Sequence, residues 1–182
     1  KGFNTEQWLE KRFDIDESVN PDIVGTMTDM SAVEDGTMDA IYSSHNIEHL
    51  YPHDVGVALN EFKRVLAADG FVVITCPDLQ SVCALIAEDK LTDAAYQSPA
   101  GPIAPLDILY GHRPAMARGN LYMAHRCGFT QKVLSGTLRA AGFESVVTQR
   151  RVHPYYDLWA VASKGTLSET DLRQLAGQHF PS

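Results

Sequence analysis

The stretch FVVITC, residues 71–76, constrains this chain most, because it is an apolar run without the alternation of a half-exposed strand. Such a strand needs cover on both faces, which a parallel sheet flanked by helices provides. From Asp54 onward, Val55, Ala58, Leu59, Phe62, Val65 and Leu66 keep the three-to-four spacing of an amphipathic helix. Lys63 and Arg64 fall late in it, where cations suit its negative end, and Gly70 is read as its stop. Upstream, RFDID (12–16) reads as a short strand and PDIVG (21–25) as a second extended piece or a connection. MDAIYSS (38–44) reads as a strand feeding a polar turn. Downstream, a helix is expected over Leu79–Glu88. Thr130 caps another, with Val133, Leu134, Leu138 and Ala141 inward and Gly142 closing it. FESVVTQR (143–150) and YDLWAVAS (156–163), joined by RVHPY, form an antiparallel hairpin, and the polar tail from Thr166 is helical. Strand–helix–strand alternation of this kind gives a doubly wound α/β domain. In such a domain the ligand lies beyond the carboxyl ends of the strands.

Composition removes several classes. The 182 residues suit one domain, and no run approaches the roughly 18 apolar residues of a membrane span. The first residues lack the apolar core of a secretory signal. A net charge of −8 repels nucleic acid on average. The three cysteines, Cys76, Cys83 and Cys127, are an odd number without a CxxC pair, which fits reduced thiols in a cytoplasm.

The residues just after each strand carry the chemistry. Asp14 and Asp16 follow the first, where a carboxylate can accept two hydrogen bonds from a ribose diol; the plainer reading is a turn aspartate. Asp29 and Met30 follow the next, suited to an adenine amine and its ring face. HNIEHLYPHD then sets histidines at 45, 49 and 53, the spacing of one helical face. Pro52 holds the preceding residues extended, so the three do not share a helix. Asn46 rather than Glu follows His45, so no HExxH zinc motif is present and no metal is expected. Between Asp89 and Phe129, Arg113, Arg118, Arg126, His112 and His125 face a single acid after Tyr96, Asp107. That suggests a loop over the site that meets a polar or anionic substrate, with Tyr110, Tyr122 and Trp159 as a wall. The plainer reading is a solvated loop whose arginines cap carbonyls.

Taken in order, MDAIYSSHNIEHL, KRVLAADGFVVITCPD and LYGHRPAMARGNLYMAHRCGFTQKVLSGTLRAAGFESV resemble the class I S-adenosylmethionine-dependent methyltransferases. The likeness is to a small bacterial branch with an FDxIxxxHxxEH motif, over about residues 11–163. It implies a Rossmann-like methyltransferase sheet, mostly parallel, with a C-terminal antiparallel hairpin. The family's glycine-rich first motif is absent, since the chain holds no GxG, and Lys1 is expected to begin after it, so the first strand is missing. Residues 1–165 would form the methyltransferase-like domain, with a substrate loop at 89–129, and 166–182 a helical tail. The cofactor implied is S-adenosyl-L-methionine. Asp14 and Ile15 would hold its ribose, Asp29 and Met30 its adenine, and Ser43, Ser44 and His45 its amino-acid side. Tyr110, His112, Arg113 and Arg126 would meet the acceptor, and His125 and His45 would be the catalytic pair. Edges left by a missing strand favour a homodimer. Two other classes stay open: a cofactor-less binding or scaffold module, and a zinc-dependent hydrolase built on His45, His49 and His53.

Overall fold

The computed structural model describes residues 3–4 and 6–181. Its elements are β1 (Phe13–Asp14), β2 (Ile23–Val24), β3 (Met38–Ser44), α1 (Val55–Val65), β4 (Leu66–Pro77) and α2 (Leu79–Ala87). They continue with β5 (Tyr96–Ser98), β6 (Gly101–Ile103), α3 (Pro105–Tyr110), α4 (Arg113–Ala117), α5 (Gln131–Ala140), β7 (Ser145–Arg151), β8 (Asp157–Ser163) and α6 (Glu169–His179). The main sheet has the order β3-β4-β8-β7. β3 pairs parallel with β4, and β8 runs antiparallel to both β4 and β7, so three of its four strands point the same way. β1 and β2 form a separate parallel pair.

The unbroken run in β4 is explained by its two covered faces. Val72, Ile74 and Cys76 pack with α1 and α5 through Leu59, Phe62, Val65, Leu134 and Leu138. Phe71 and Val73 point the other way, against Trp159, Val161, Ala176 and Phe180, so α6 covers that face. β8 alternates in step, with Leu158, Ala160 and Ala162 on the first face and Trp159 and Val161 on the second. Burial at this density supplies most of the folding drive, about 1.5–3 kcal/mol for each large apolar side chain.

Two local expectations change. α1 ends at Val65, and Gly70 lies five residues on, inside β4, beside the register shift between Met38 and Ala40. A Cβ there would crowd the carbonyl oxygens of Ala67 and Met38, both at 3.1 Å, so the glycine admits a close strand approach rather than a helix stop. In α5, Leu134 and Leu138 are buried as expected, but Val133 is half-exposed because it lies beside the buried stripe rather than on it.

Residues 89–129 are not an irregular loop. They contain the hairpin β5–β6 and the helices α3 and α4, sealed by a small core of Val82, Ile103 and Ile108. Among the described residues, no helix is long and apolar enough to cross a membrane.

Candidate active site

Two cavities flank the carboxyl end of β3. The first is a cleft of about 470 Å³ between β3 and the β1–β2 pair, lined by Phe13, Met30, Ile41, Ser43 and Asn46 among others. β3 closes the strand order of its sheet, so this cleft runs along a sheet edge. Met30 is buried on the inner wall and belongs to the core as well. Its segment is pinned by α1: Glu61 accepts the Met30 N–H at 2.7 Å, and Arg64 donates to the carbonyls of Met30 (2.8 Å) and Val33 (2.9 Å). Arg64 thus clamps this loop, a more specific task than offsetting the charge of its helix end. Asp29, next door, is exposed and opens onto a shallow depression with Asn60 and Glu61. Hydrogen bonding from Ser31, by its side chain and then its backbone N–H, holds the Asp29 carboxyl below its ordinary value. Asp14 ends β1 exposed and accepts the Asp16 N–H at 2.9 Å; Ile15 is exposed beside it.

Ser43 and Ser44 diverge as a strand requires. Ser43 turns into the first cleft, and its buried hydroxyl has no hydrogen-bond partner among the described residues. Ser44 bonds Thr75 on the neighbouring strand at 2.9 Å. His45 follows in the left-handed region (φ 53°), its N–H held by the Thr75 carbonyl at 2.9 Å, and this turn swings its ring into the second cavity.

That second cavity, about 160 Å³, gathers His45, Glu48, His49, His112, His125, Tyr96, Tyr155 and Tyr156. Ile47–His49 forms a 3₁₀ turn, and the backbone N–H groups of Arg126 and Cys127 donate to the Glu48 carbonyl at 2.8 and 3.2 Å. Gly111, at φ 101°, lets α3 approach the segment that carries His125, whose N–H donates to the Tyr110 carbonyl. His125 Nδ1 lies 2.7 Å from the Ile108 carbonyl and His49 Nδ1 lies 3.1 Å from that of Ala124, their rings edge to face at 4.8 Å. Burial holds His125 below the ordinary histidine pKa. Burial pulls His45 the same way, but the Glu48 carboxylate, 3.3 Å away, outweighs it and leaves His45 raised. Burial also lifts the Cys127 thiol to about 11, which keeps it protonated and a poor nucleophile.

Several expected residues are employed elsewhere. Arg113 is bound by the buried Asp107 carboxylate through Nε at 2.6 Å and Nη2 at 3.0 Å, so its charge is already met. Arg126 donates to the His49 carbonyl at 2.8 Å and lies over the Tyr51 ring, while Arg118 is exposed. Tyr110 and Tyr122 face solvent, and Trp159 sits on the α6 side of the sheet. The aromatic wall is instead Tyr96, Tyr155 and Tyr156, with Arg151 over the Tyr155 ring at 4.0 Å. His53 stands apart, exposed and stacked on Tyr51. Glu48 is the residue that sequence reasoning passed over; its signal was a carboxylate inside the HNIEH turn.

Residues 7–74 match the family model described as a methyltransferase domain. No curated protein matches the chain. Among solved structures, a SAM-dependent methyltransferase from Archaeoglobus fulgidus gives a TM-score of 0.55 at 14% identity, over 84% of this chain and 74% of that one. A SAM-dependent methyltransferase from Thermotoga maritima gives 0.52 at 14% identity, over 88% and 86%. A Nostoc punctiforme protein assigned as an O-methyltransferase gives 0.45 at 17% identity; it is matched over 78% of this chain, which spans 35% of its length. At these identities the Archaeoglobus and Thermotoga structures speak for the fold, and the domain match covers residues 7–74 of the 182. By its fold, and by that match over residues 7–74, the chain is similar to S-adenosylmethionine-dependent methyltransferases.

Proposed function

We propose that the protein transfers a methyl group from S-adenosyl-L-methionine to an oxygen or nitrogen of a small polar acceptor. One observation carries this reading: a cleft containing the unpartnered Ser43 hydroxyl and a histidine-rich cavity meet at the single turn Ser43–His45, at the carboxyl end of β3. A buried hydroxyl without a partner is costly unless a ligand group completes it, so Ser43 fits a polar atom of the cofactor. The donor set otherwise fits the group in part. Asp14 and Asp29 stand outside the residues lining the cleft, each with Oδ1 accepting a backbone N–H, and would meet a ribose diol and an amine with Oδ2; Met30 supplies apolar lining from within the wall. Ile15, exposed beside Asp14, and Ser44, bonded to Thr75, stand at the margins of this set.

When bound, the cofactor supplies an activated methyl on a sulfonium. The protein's part is alignment and exclusion of water. His45 lines the boundary between the two compartments. His125, fixed through Nδ1, presents Nε2 to the acceptor and serves as proton acceptor for a hydroxyl. His112 and the three tyrosines shape the acceptor space. Tyr110, Arg113 and Arg126 remain rim candidates, with the Asp107 pairing limiting Arg113 to a positioning part. We place the protein in the cytoplasm, acting on a small molecule rather than on nucleic acid. The edge of β3 further supports a homodimer, because unpaired strand groups invite a second strand. A monomer in light scattering at micromolar concentration would count against that pairing.

The test of function is methyl transfer itself. With methyl-labelled cofactor and panels of hydroxyl and amine acceptors, label should move to at least one small polar class. Protein that binds cofactor yet labels no acceptor, and protein that binds no cofactor at all, would both favour the scaffold reading.

A further inference from the structure

Glu48 is 1% exposed, and neither carboxylate oxygen has a hydrogen-bond partner among the described residues; His45 Nδ1 stands 3.3 Å from Oε1 and offsets the charge only when that ring is protonated. A buried carboxylate left in that state is strongly disfavoured unless a cation sits against it. The side chains around it are arranged for one. His49 Nδ1 and His125 Nδ1 each face a backbone carbonyl, of Ala124 and of Ile108, so each of these nitrogens carries the ring proton. The lone pair is therefore on Nε2 in both rings. An outer hydrogen bond from the second ring nitrogen to a carbonyl is the usual way a metal-bound histidine is oriented. One ligand atom from each of Glu48, His49 and His125 lies within 4.8 Å of the others. Bonds of about 2.0–2.1 Å bring tetrahedral ligands to roughly 3.4 Å apart, a closure within reach of small side-chain rotations.

We propose that Glu48, His49 and His125 bind a divalent transition-metal ion. One carboxylate and two imidazoles suit first-row ions such as zinc or cobalt better than magnesium or calcium, which prefer all-oxygen sets. Three protein ligands leave a coordination position open to the 160 Å³ cavity, on the side where His45 stands 3.3 Å from the same carboxylate. The three ligands come from two distant segments, 48–49 and 125, so neither the 45–49–53 spacing nor the absence of an HExxH motif bears on this site. His53 takes no part. If the methyltransferase reading also holds, an acceptor oxygen or nitrogen would occupy the open position; with the ion bound, His125 Nε2 is a ligand, and the proton-accepting role given to it above belongs to the metal-free site.

The test uses metal alone, so it does not depend on methyl transfer. Metal-stripped protein is titrated with Co²⁺ and followed by its visible absorption, then with Zn²⁺ and followed by thermal melting. One equivalent of Co²⁺ should give the intense bands of a four- or five-coordinate site, and Zn²⁺ should raise Tm. Glu48→Gln, which keeps the shape and removes the charge, should weaken binding at least tenfold. His125→Gln, whose amide can still donate to the Ile108 carbonyl, should do the same, and His53→Ala should bind like wild type. Should one ligand variant fail to fold, the other decides. No Co²⁺ bands with folded wild-type protein, or bands equally strong in the folded ligand variants, would overturn the proposal.

Discussion

A methyl group added to Gly111 would stand 2.0 Å from the carbonyl oxygen of Met123. The two segments touch at backbone distance, and an isolated antiparallel bridge joins Gly111 to Ala124, one residue before His125. The placement of His125 in the second cavity therefore depends on a residue with no side chain.

Gly111→Ala should destabilise the protein by about 2–4 kcal/mol, combining left-handed strain with a backbone clash. Gly119, at φ 96° with open space around its Cα, is the control, and Gly119→Ala should cost only the strain. Urea unfolding of both variants checks this. Equal costs would mean that the Met123 contact relaxes freely.

Asp107 is buried at the head of α3, where it accepts the Ala104 N–H at 3.0 Å and binds Arg113. The Arg113 guanidinium holds its carboxyl below the ordinary aspartate value. A carboxylate lowered on folding adds stability above its unfolded pKa, near 4, and loses it as pH falls through the folded value. Asp107→Asn should lower Tm by about 3–8 °C at pH 7, and the gap should narrow below pH 4. A gap unchanged by acid would contradict the ion-pair account. Asp16, Asp29 and Glu61 are lowered too, so only the difference between variant and wild type is informative.

His179 reports from the other face of the sheet. It is buried, its Nδ1 lacks a partner among the described residues, and its ring lies 4.6 Å from Phe3 and 5.1 Å from Phe71. Burial holds its pKa below the ordinary histidine value. Below about pH 6.5 the unfolded chain takes up a proton that the folded one resists, so stability falls with acidification in that range. His125 is lowered as well, and the comparison must therefore be made by substitution. His179→Phe should lose less Tm than wild type between pH 7.5 and 5.5; parallel losses would assign the acid sensitivity elsewhere.

In the catalytically active protein, His125→Ala should reduce turnover at least tenfold and leave cofactor affinity within a few-fold. A His125 that only anchors its segment would instead show itself as lost stability with normal turnover per folded molecule.

The sheet was readable in the sequence because its signals are local. MDAIYSS coincides with β3, the apolar run lies inside β4, and both hairpin strands appear within two residues of their bounds. Thr130 caps α5 as expected, accepting the Val133 N–H at 3.4 Å. The cavity was not readable, because it is assembled from segments far apart in the chain, from His45 to Tyr156, whose meeting depends on tertiary packing. Tyr110 and Tyr156 are equivalent as letters, yet one ends α3 facing solvent and the other lines the cavity. Arg113 looked like a free cation because nothing local shows that Asp107, six residues earlier, would be buried against it.

The central claim is that the cleft beside β3 receives S-adenosylmethionine, and calorimetry with S-adenosylhomocysteine tests it most directly. The expected result is saturable binding of one molecule per chain. Asp14→Ala should weaken it about tenfold or more, the usual effect of removing a charged hydrogen-bond partner. Folded protein that gives no binding heat, or binding indifferent to Asp14, would contradict the account.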